Sequence, residues 1–181
     1  MARIDILKRK IEGYLRKEQL LKNQEHIKLE KPFLTKARNN FAIANLLFKI
    51  SDQEELKKVL TLASDFNSHD WVIIVSYYSM YVSALAALAK LGFKSKSHAA
   101  TIAVLEHHYV HQKKNLEAKH IQQLTKAYYL SEDLINKLIR TKTKRENAQY
   151  DATPAISREN AMSALGDAEE FITKIEEILG L

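Results

Sequence analysis

Cysteine is missing from all 181 residues, which excludes disulfides and thiolate metal sites. Only four Gly and two Pro leave few places for tight hairpins, so a sheet is not expected and the long elements read as helix. No Gly-rich loop offers a cradle for phosphates, and no Ser, His and Asp set is arranged for acyl transfer. Asp167, Glu169 and Glu170, like Glu176 and Glu177, lie opposite an apolar stripe and read as solvated helix surface rather than paired catalytic carboxylates. There is no internal repeat and no low-complexity segment. Met1 to Lys10 is charged from the outset and shows no secretory pattern, so together with the lack of Cys the chain reads as cytoplasmic.

What is present fits one domain. With 46% hydrophobic residues, a chain of this length buries about 70% of the surface that it would expose unfolded. Trp71 to Ala89 carries no formal charge and approaches the length of a membrane span. Ser76, Tyr77, Tyr78, Ser79, Tyr81 and Ser83 interrupt it, however, so it reads as the central core helix of a bundle, with no membrane as partner. The 28 Lys and Arg exceed the 22 Asp and Glu to give a net charge of +6, an excess that favours anionic partners. Lys8, Arg9, Lys10, Arg16 and Lys17 crowd the first helix and read as a solvated face, while Arg140, Lys142, Lys144 and Arg145 form a second run uninterrupted by acid.

The apolar spacing predicts a series of helices. A polar first pattern, Ile4 to Ile27, sits in a segment 1–31 set apart as an N-terminal helical arm, and Pro32 ends it or opens the next element. Residues 32–181 then read as a helical bundle domain. Leu34, Ala37, Phe41, Ala44 and Phe48 place one stripe inward. Ser51 and Glu54 resemble a capping box for a short helix through Leu62, Asn67 or Ser68 caps the helix His69 to Leu91, and Gly92 suits a left-handed exit. Further helices run from His98 to Val110 and from Leu116 toward Arg145, the latter with Ser131 as a kink or restart. Thr153-Pro154 closes a loop, and Ser157 caps a last helix whose stripe is Ala161, Leu165, Ala168, Ile172, Ile175 and Leu179. The sum is an all-α fold, an up-and-down bundle of five to seven helices.

Among chemistry-bearing residues, His107 and His111 have the four-residue spacing of a helical metal pair, with His108 and His120 nearby. No glutamate sits between them and no further acidic ligand matches, so the expectation is solvated or hydrogen-bonded histidines with no metal and no cofactor. Tyr77, Tyr78 and Tyr81 carry faces that stack on bases, but in an uncharged helix they read as core or interface. The strongest candidate is the polar break at Arg145, Asn147, Tyr150 and Asp151, adjoining Arg140, Lys142 and Lys144. Arginine presents a planar charged fork suited to phosphate, Asn147 donates and accepts, and Tyr150 brings a neutral hydroxyl. Such a set binds a phosphodiester and stabilises charge on it. The competing structural reading pairs Arg145 with Asp151 or a carboxylate across a dimer and packs Tyr150 on the last helix.

Two segments resemble the HEPN domain family, in particular its small stand-alone prokaryotic members. One is Ser76-Tyr77-Tyr78-Ser79-Met80-Tyr81 through Gly92 with Lys96-Ser97-His98, similar to the family's tyrosine- and alanine-rich helix, glycine turn and following helix start. The other is Arg145-x-x-Ala148-x-Tyr150-Asp151 with Ser157 to Ala161 and Ala168 to Ile172, similar to the subgroup's R-x-x-A-D-Y loop and final helix. The resemblance implies a helical bundle, a homodimer that brings two arginine motifs together, RNA cleavage or binding in toxin-antitoxin or defence systems, and a minimal nucleotidyltransferase as partner. Active members resemble one another in an arginine followed by four to six residues and a histidine. Here no arginine has a histidine at that distance, no His follows His120, and Tyr150 stands five residues past Arg145. The expectation is therefore an RNA- or nucleotide-binding component of a two-component system without the standard ribonuclease centre. The alternatives are a metal-independent ribonuclease with Arg145, Asn147 and Tyr150 as catalytic candidates, and a structural dimer or adaptor.

Overall fold

Nineteen consecutive uncharged residues are costly to leave in water, and the architecture is organised to cover them. The computed structural model describes residues 3–145 and 156–181, with the side chains of 3–136 and 156–181. Among these, seven α-helices and one two-stranded ladder are present: α1 (Arg3–Arg16), β1 (Leu20–Lys22), α2 (Glu30–Asp52), α3 (Glu54–Val59), α4 (His69–Lys90), β2 (Phe93–Ser95), α5 (His98–Leu105), α6 (Ala118–Arg145) and α7 (Arg158–Leu179). The fold is an all-α bundle, as the apolar periodicity predicts.

The helix α4 lies at the centre, with α2, α6 and α7 along its sides and α5 at its far end. It is the one described helix long and apolar enough to cross a membrane, and 78% of its most apolar window is buried by its neighbours. Small residues let the backbones approach: Ala37 and Ala44 of α2 and Ala84, Ala86 and Ala87 of α4 are fully buried. Ser79 Oγ donates 2.8 Å to the Ala37 carbonyl across that contact, satisfying a hydroxyl that burial would otherwise penalise. The stripe read from α7 is buried throughout, joined by Phe171. Each such large side chain contributes about 1.5–3 kcal/mol.

The ladder is the main departure from the sequence reading. The helix expected from Ile4 to Ile27 stops at Arg16, and β1 pairs antiparallel with β2, Leu20 opposite Ser95 and Lys22 opposite Phe93. A 3₁₀ segment, Gln24–Leu29, then leads into α2, with Asn23 capping it and Pro32 in the first turn of the helix. The segment set apart as an arm places Leu7, Ile11 and Leu20 in the principal core cluster. Ser51 does not cap α3. Its hydroxyl instead donates to the Leu47 carbonyl and accepts from Ser68 N at 2.8 Å, and Gln53 takes the cap position without a side-chain bond. Ser68 begins α4 with its side chain engaged by Ser51 rather than by the helix. Nor does Ser131 break α6, which is continuous from Ala118 to Arg145. Ser157 does cap α7, accepting from Asn160 N.

Gly92 makes the turn from α4 into β2 with φ at +75°, and a Cβ there would stand 3.3 Å from the Asn23 carbonyl oxygen. Asn23 N donates 2.8 Å to the Gly92 carbonyl at this crossing. Gly92→Ala should therefore destabilise the protein by about 1–2 kcal/mol. Urea denaturation checks this, and a loss below about 0.5 kcal/mol would show that the crossing imposes no constraint.

Candidate functional site

Where α4 faces the middle of α6, aromatic side chains replace aliphatic ones. Tyr77 is buried, Tyr81 is partly so, and Tyr78 is 43% exposed at the rim. Tyr128 of α6 stacks on His98, the first residue of α5, with ring centroids 3.9 Å apart and planes 17° from parallel. The other face of this assembly is Tyr81, stacked on His98 at 5.3 Å. Tyr77 Oη lies 3.2 Å from His98 Nδ1, while His98 Nε2 is buried with no hydrogen-bond partner among the described residues. Burial pushes the His98 imidazole down to a pKa of about 4, so the ring is neutral near pH 7, and it pushes the Tyr77 phenol up. On the outer side, the Tyr128 hydroxyl donates 3.0 Å to Glu132 Oε1, a bond that raises its pKa.

This assembly backs a cleft of about 260 Å³ between the two helices, lined by Tyr77, Tyr78, Tyr128, Ser131, Glu132, Ile135 and Asn136. Ser131 Oγ is buried without a partner among the described residues. Sequence reading singled out the three tyrosines of α4 as core or interface. Tyr77 and Tyr81 are packed as core, and Tyr78 is 43% exposed. Tyr128 and His98 join them only through the fold.

The cationic run Arg140, Lys142, Lys144 and Arg145 occupies the last turns of α6. Positive charge at a helix C-terminus is favoured by the helix dipole. The side chains of these four, and all of Asn147, Tyr150 and Asp151, lie outside the described residues. Three other arginines are committed to ion pairs. Arg3 reaches Glu106 at 2.7 Å, Arg38 Nε donates 2.7 Å to Glu176, and Arg158 Nη2 donates 3.0 Å to Asp52. Arg158 also covers the Phe48 ring.

The histidine cluster lies elsewhere. His107, His108 and His111 fall in a π-helical turn, Glu106–Gln112, closed by Lys113 N donating 2.9 Å to His108 O. The five-residue closure breaks the four-residue register on which a metal pair relies. His107 packs edge-on against His108, and His111 Nε2 sits 3.5 Å from Glu106. His120 is buried one helix later, its Nδ1 accepting from Glu117 N. No group of three or more metal-ligating side chains occurs among the described residues.

Residues 53–178, well over half of the chain, match the family model of the HEPN domain. The chain belongs to the HEPN family. No curated protein matches it significantly. The match runs from α3 to the end of α7, so the aromatic cleft and the cationic end of α6 both lie within the HEPN domain. Membership carries a nucleotide- or RNA-related role in broad terms.

The neutral His98 ring has a measurable consequence. The unfolded chain protonates it near 6.5 and the folded protein only near 4. Its contribution to stability is thus complete above about pH 6.5 and is lost as pH falls toward 4. His98→Gln should flatten the acid limb of stability across that window by on the order of 2 kcal/mol, after discounting for partial exposure. Urea titrations at pH 7, 5.5 and 4.5 decide it, an unchanged slope being the contrary result.

Proposed function

We propose that this HEPN protein binds RNA or a nucleotide through the cationic end of α6 and does not carry the standard HEPN ribonuclease centre. The observation that carries this reading is the run Arg140, Lys142, Lys144 and Arg145 ending a HEPN helix with no histidine anywhere after His120. Arg145, Asn147, Tyr150 and Asp151 supply a fork, an amide, a hydroxyl and an acceptor for a phosphodiester. A tyrosine with a pKa of about 10 is a poor proton acceptor near neutrality. The loop resembles the R-x-x-A-D-Y motif of the small stand-alone prokaryotic members, here with Gln149 at the position of the acid, and that likeness supports the reading.

On this reading two copies pair to bring their arginines together, and the dimer works with a minimal nucleotidyltransferase in a toxin-antitoxin or defence-like system. Exposed apolar residues support a protein partner. Ile43, Leu46, Trp71 and Met162 are each about half exposed, and each adjoins in sequence a residue of one small core cluster, Ala44, Val72 or Ala161, or Leu47 packed against it.

Titration with labelled tRNA and mRNA fragments at two salt concentrations tests the reading. Binding should weaken with salt, and Arg145→Ala should lower both the affinity and the salt slope, the latter by about 1. RNA incubated with the protein in EDTA should stay intact. Metal-independent cleavage abolished by Arg145→Ala would establish the ribonuclease instead, and no binding at low salt would leave the adaptor.

A further inference from the structure

We propose that the cleft between α4 and α6 is a subsite for one unpaired, amino-bearing nucleobase, stacked on Tyr78 and read by Glu132 and Asn136. The inference deepens the RNA-binding reading and rests on it for the strand to which the base belongs.

Size comes first. At about 260 Å³ the cleft falls just below the roughly 300–1,000 Å³ of sites for drug-sized ligands, which suits a single flat ring system. Its described walls have the chemistry of a base site. The described lining holds three tyrosines, Ile135, two neutral polar side chains and one carboxylate, with no cation among them. Tyr78 leans on Tyr77 at 5.1 Å on one side and is 43% exposed on the rest, a rigid aromatic platform with little rotamer freedom to lose on stacking. The wall behind is held by the Tyr81, His98 and Tyr128 stack.

Polar selectivity follows from the rim. Tyr128 occupies Glu132 Oε1, and a carboxylate has a second oxygen that only accepts. An exocyclic amino group, present on adenine, cytosine and guanine, donates to it, whereas uracil offers a carbonyl in that position and sets acceptor against acceptor. Asn136 supplies an amide, the group that pairs with adenine edges elsewhere. The same helix continues nine residues from Asn136 to Arg145, about 14 Å of rise, so one strand can meet base recognition and backbone charge along a single element.

The test uses the full chain with ten-nucleotide rA, rC and rU oligonucleotides by fluorescence anisotropy, and adenosine, cytidine and uridine by ligand-observed NMR. Wild type should bind rA and rC at least about fivefold more tightly than rU. Tyr78→Ala should weaken rA about fivefold or more while Tyr78→Phe retains it, and Glu132→Gln should reduce the preference over rU to less than about twofold. Lys142→Ala should weaken all three oligonucleotides alike and leave the preference intact. Equal affinity for the three, or a preference untouched by Tyr78→Ala and Glu132→Gln, overturns the subsite while leaving salt-dependent RNA binding in place. If no oligonucleotide binds but adenosine and cytidine still do, and Glu132→Gln abolishes that, the RNA reading falls and the base subsite stands. Silence from the nucleosides as well overturns both.

Discussion

The burial of α4 is the constraint from which the other elements take their positions. A helix that is apolar nearly all round has no solvent face, so it must be enclosed on every side. Here α2, α6 and α7 form the enclosure. Close approach requires small residues, which explains the alanines and serines of α4 opposite Ala37 and Ala44. Of the buried serine hydroxyls of α4, Ser79 donates to the Ala37 carbonyl and Ser83 to that of Met80, while that of Ser76 has no partner among the described residues. The enclosing helices keep their own polar faces outward, and the long ion pairs, Arg38 to Glu176 and Arg158 to Asp52, tie α7 back to α2 at positions far apart in sequence.

A cleft interrupts that enclosure where α4 meets α6. Tyrosine is a compromise at such a seam, because its ring packs as core while its hydroxyl needs a polar partner. Tyr77 finds His98, Tyr128 finds Glu132, and the rings between them interlock. A neutral imidazole follows from the same packing, since a charged ring among three tyrosines would lose its hydration without gaining a carboxylate. The cleft is thus the place where the covering of α4 changes from aliphatic to aromatic, and its polarity comes from α6 rather than from α4.

What could be read from the sequence follows the same physics. The elements with the strongest local signal, the uncharged run of α4 and the periodic stripe of α7, were readable nearly to their ends, as was the left-handed exit at Gly92. The ladder was not. β1 and β2 are joined by bonds between residues some seventy apart, Lys96 N to the Gln19 carbonyl and Asn23 N to the Gly92 carbonyl, and three-residue strands leave no periodic trace. Ser51 and Glu54 had the spacing of a cap, yet the loop brings Ser68 to the same hydroxyl and tertiary pairing wins over the local motif. The π-turn at Glu106–Gln112 has no sequence signature of its own. At the seam, Tyr77, Tyr78 and Tyr81 were visible as a cluster, but their partners His98, Tyr128 and Glu132 come from two other helices, so the cleft exists only in three dimensions. The arginine break was conspicuous in sequence through its residue types alone.

Under the proposed function, whether RNA would be held or also cut turns on a proton acceptor. General-base assistance is typically worth 10²–10⁴ in rate, and only for a group whose pKa lies near the working pH. All seven histidines precede residue 121. Those that pack deepest are held by local structure: His120 by the Glu117 amide, His98 by the tyrosine stack, His107 and His108 by the π-turn. His26 and His69 are within hydrogen-bond distance of the backbone carbonyls of Gly92 and Ile156, and His111 faces Glu106. An imidazole used this way orients a fold and is poorly placed to leave its partner for a 2′-hydroxyl. A tyrosine beside an arginine, by contrast, offers a hydrogen bond and a stacking face without taking a proton. Under the proposed function the residue types around Arg145 in the sequence suit holding a strand better than cleaving it, and the proposed base subsite on the same helix would extend that grip from charge to sequence.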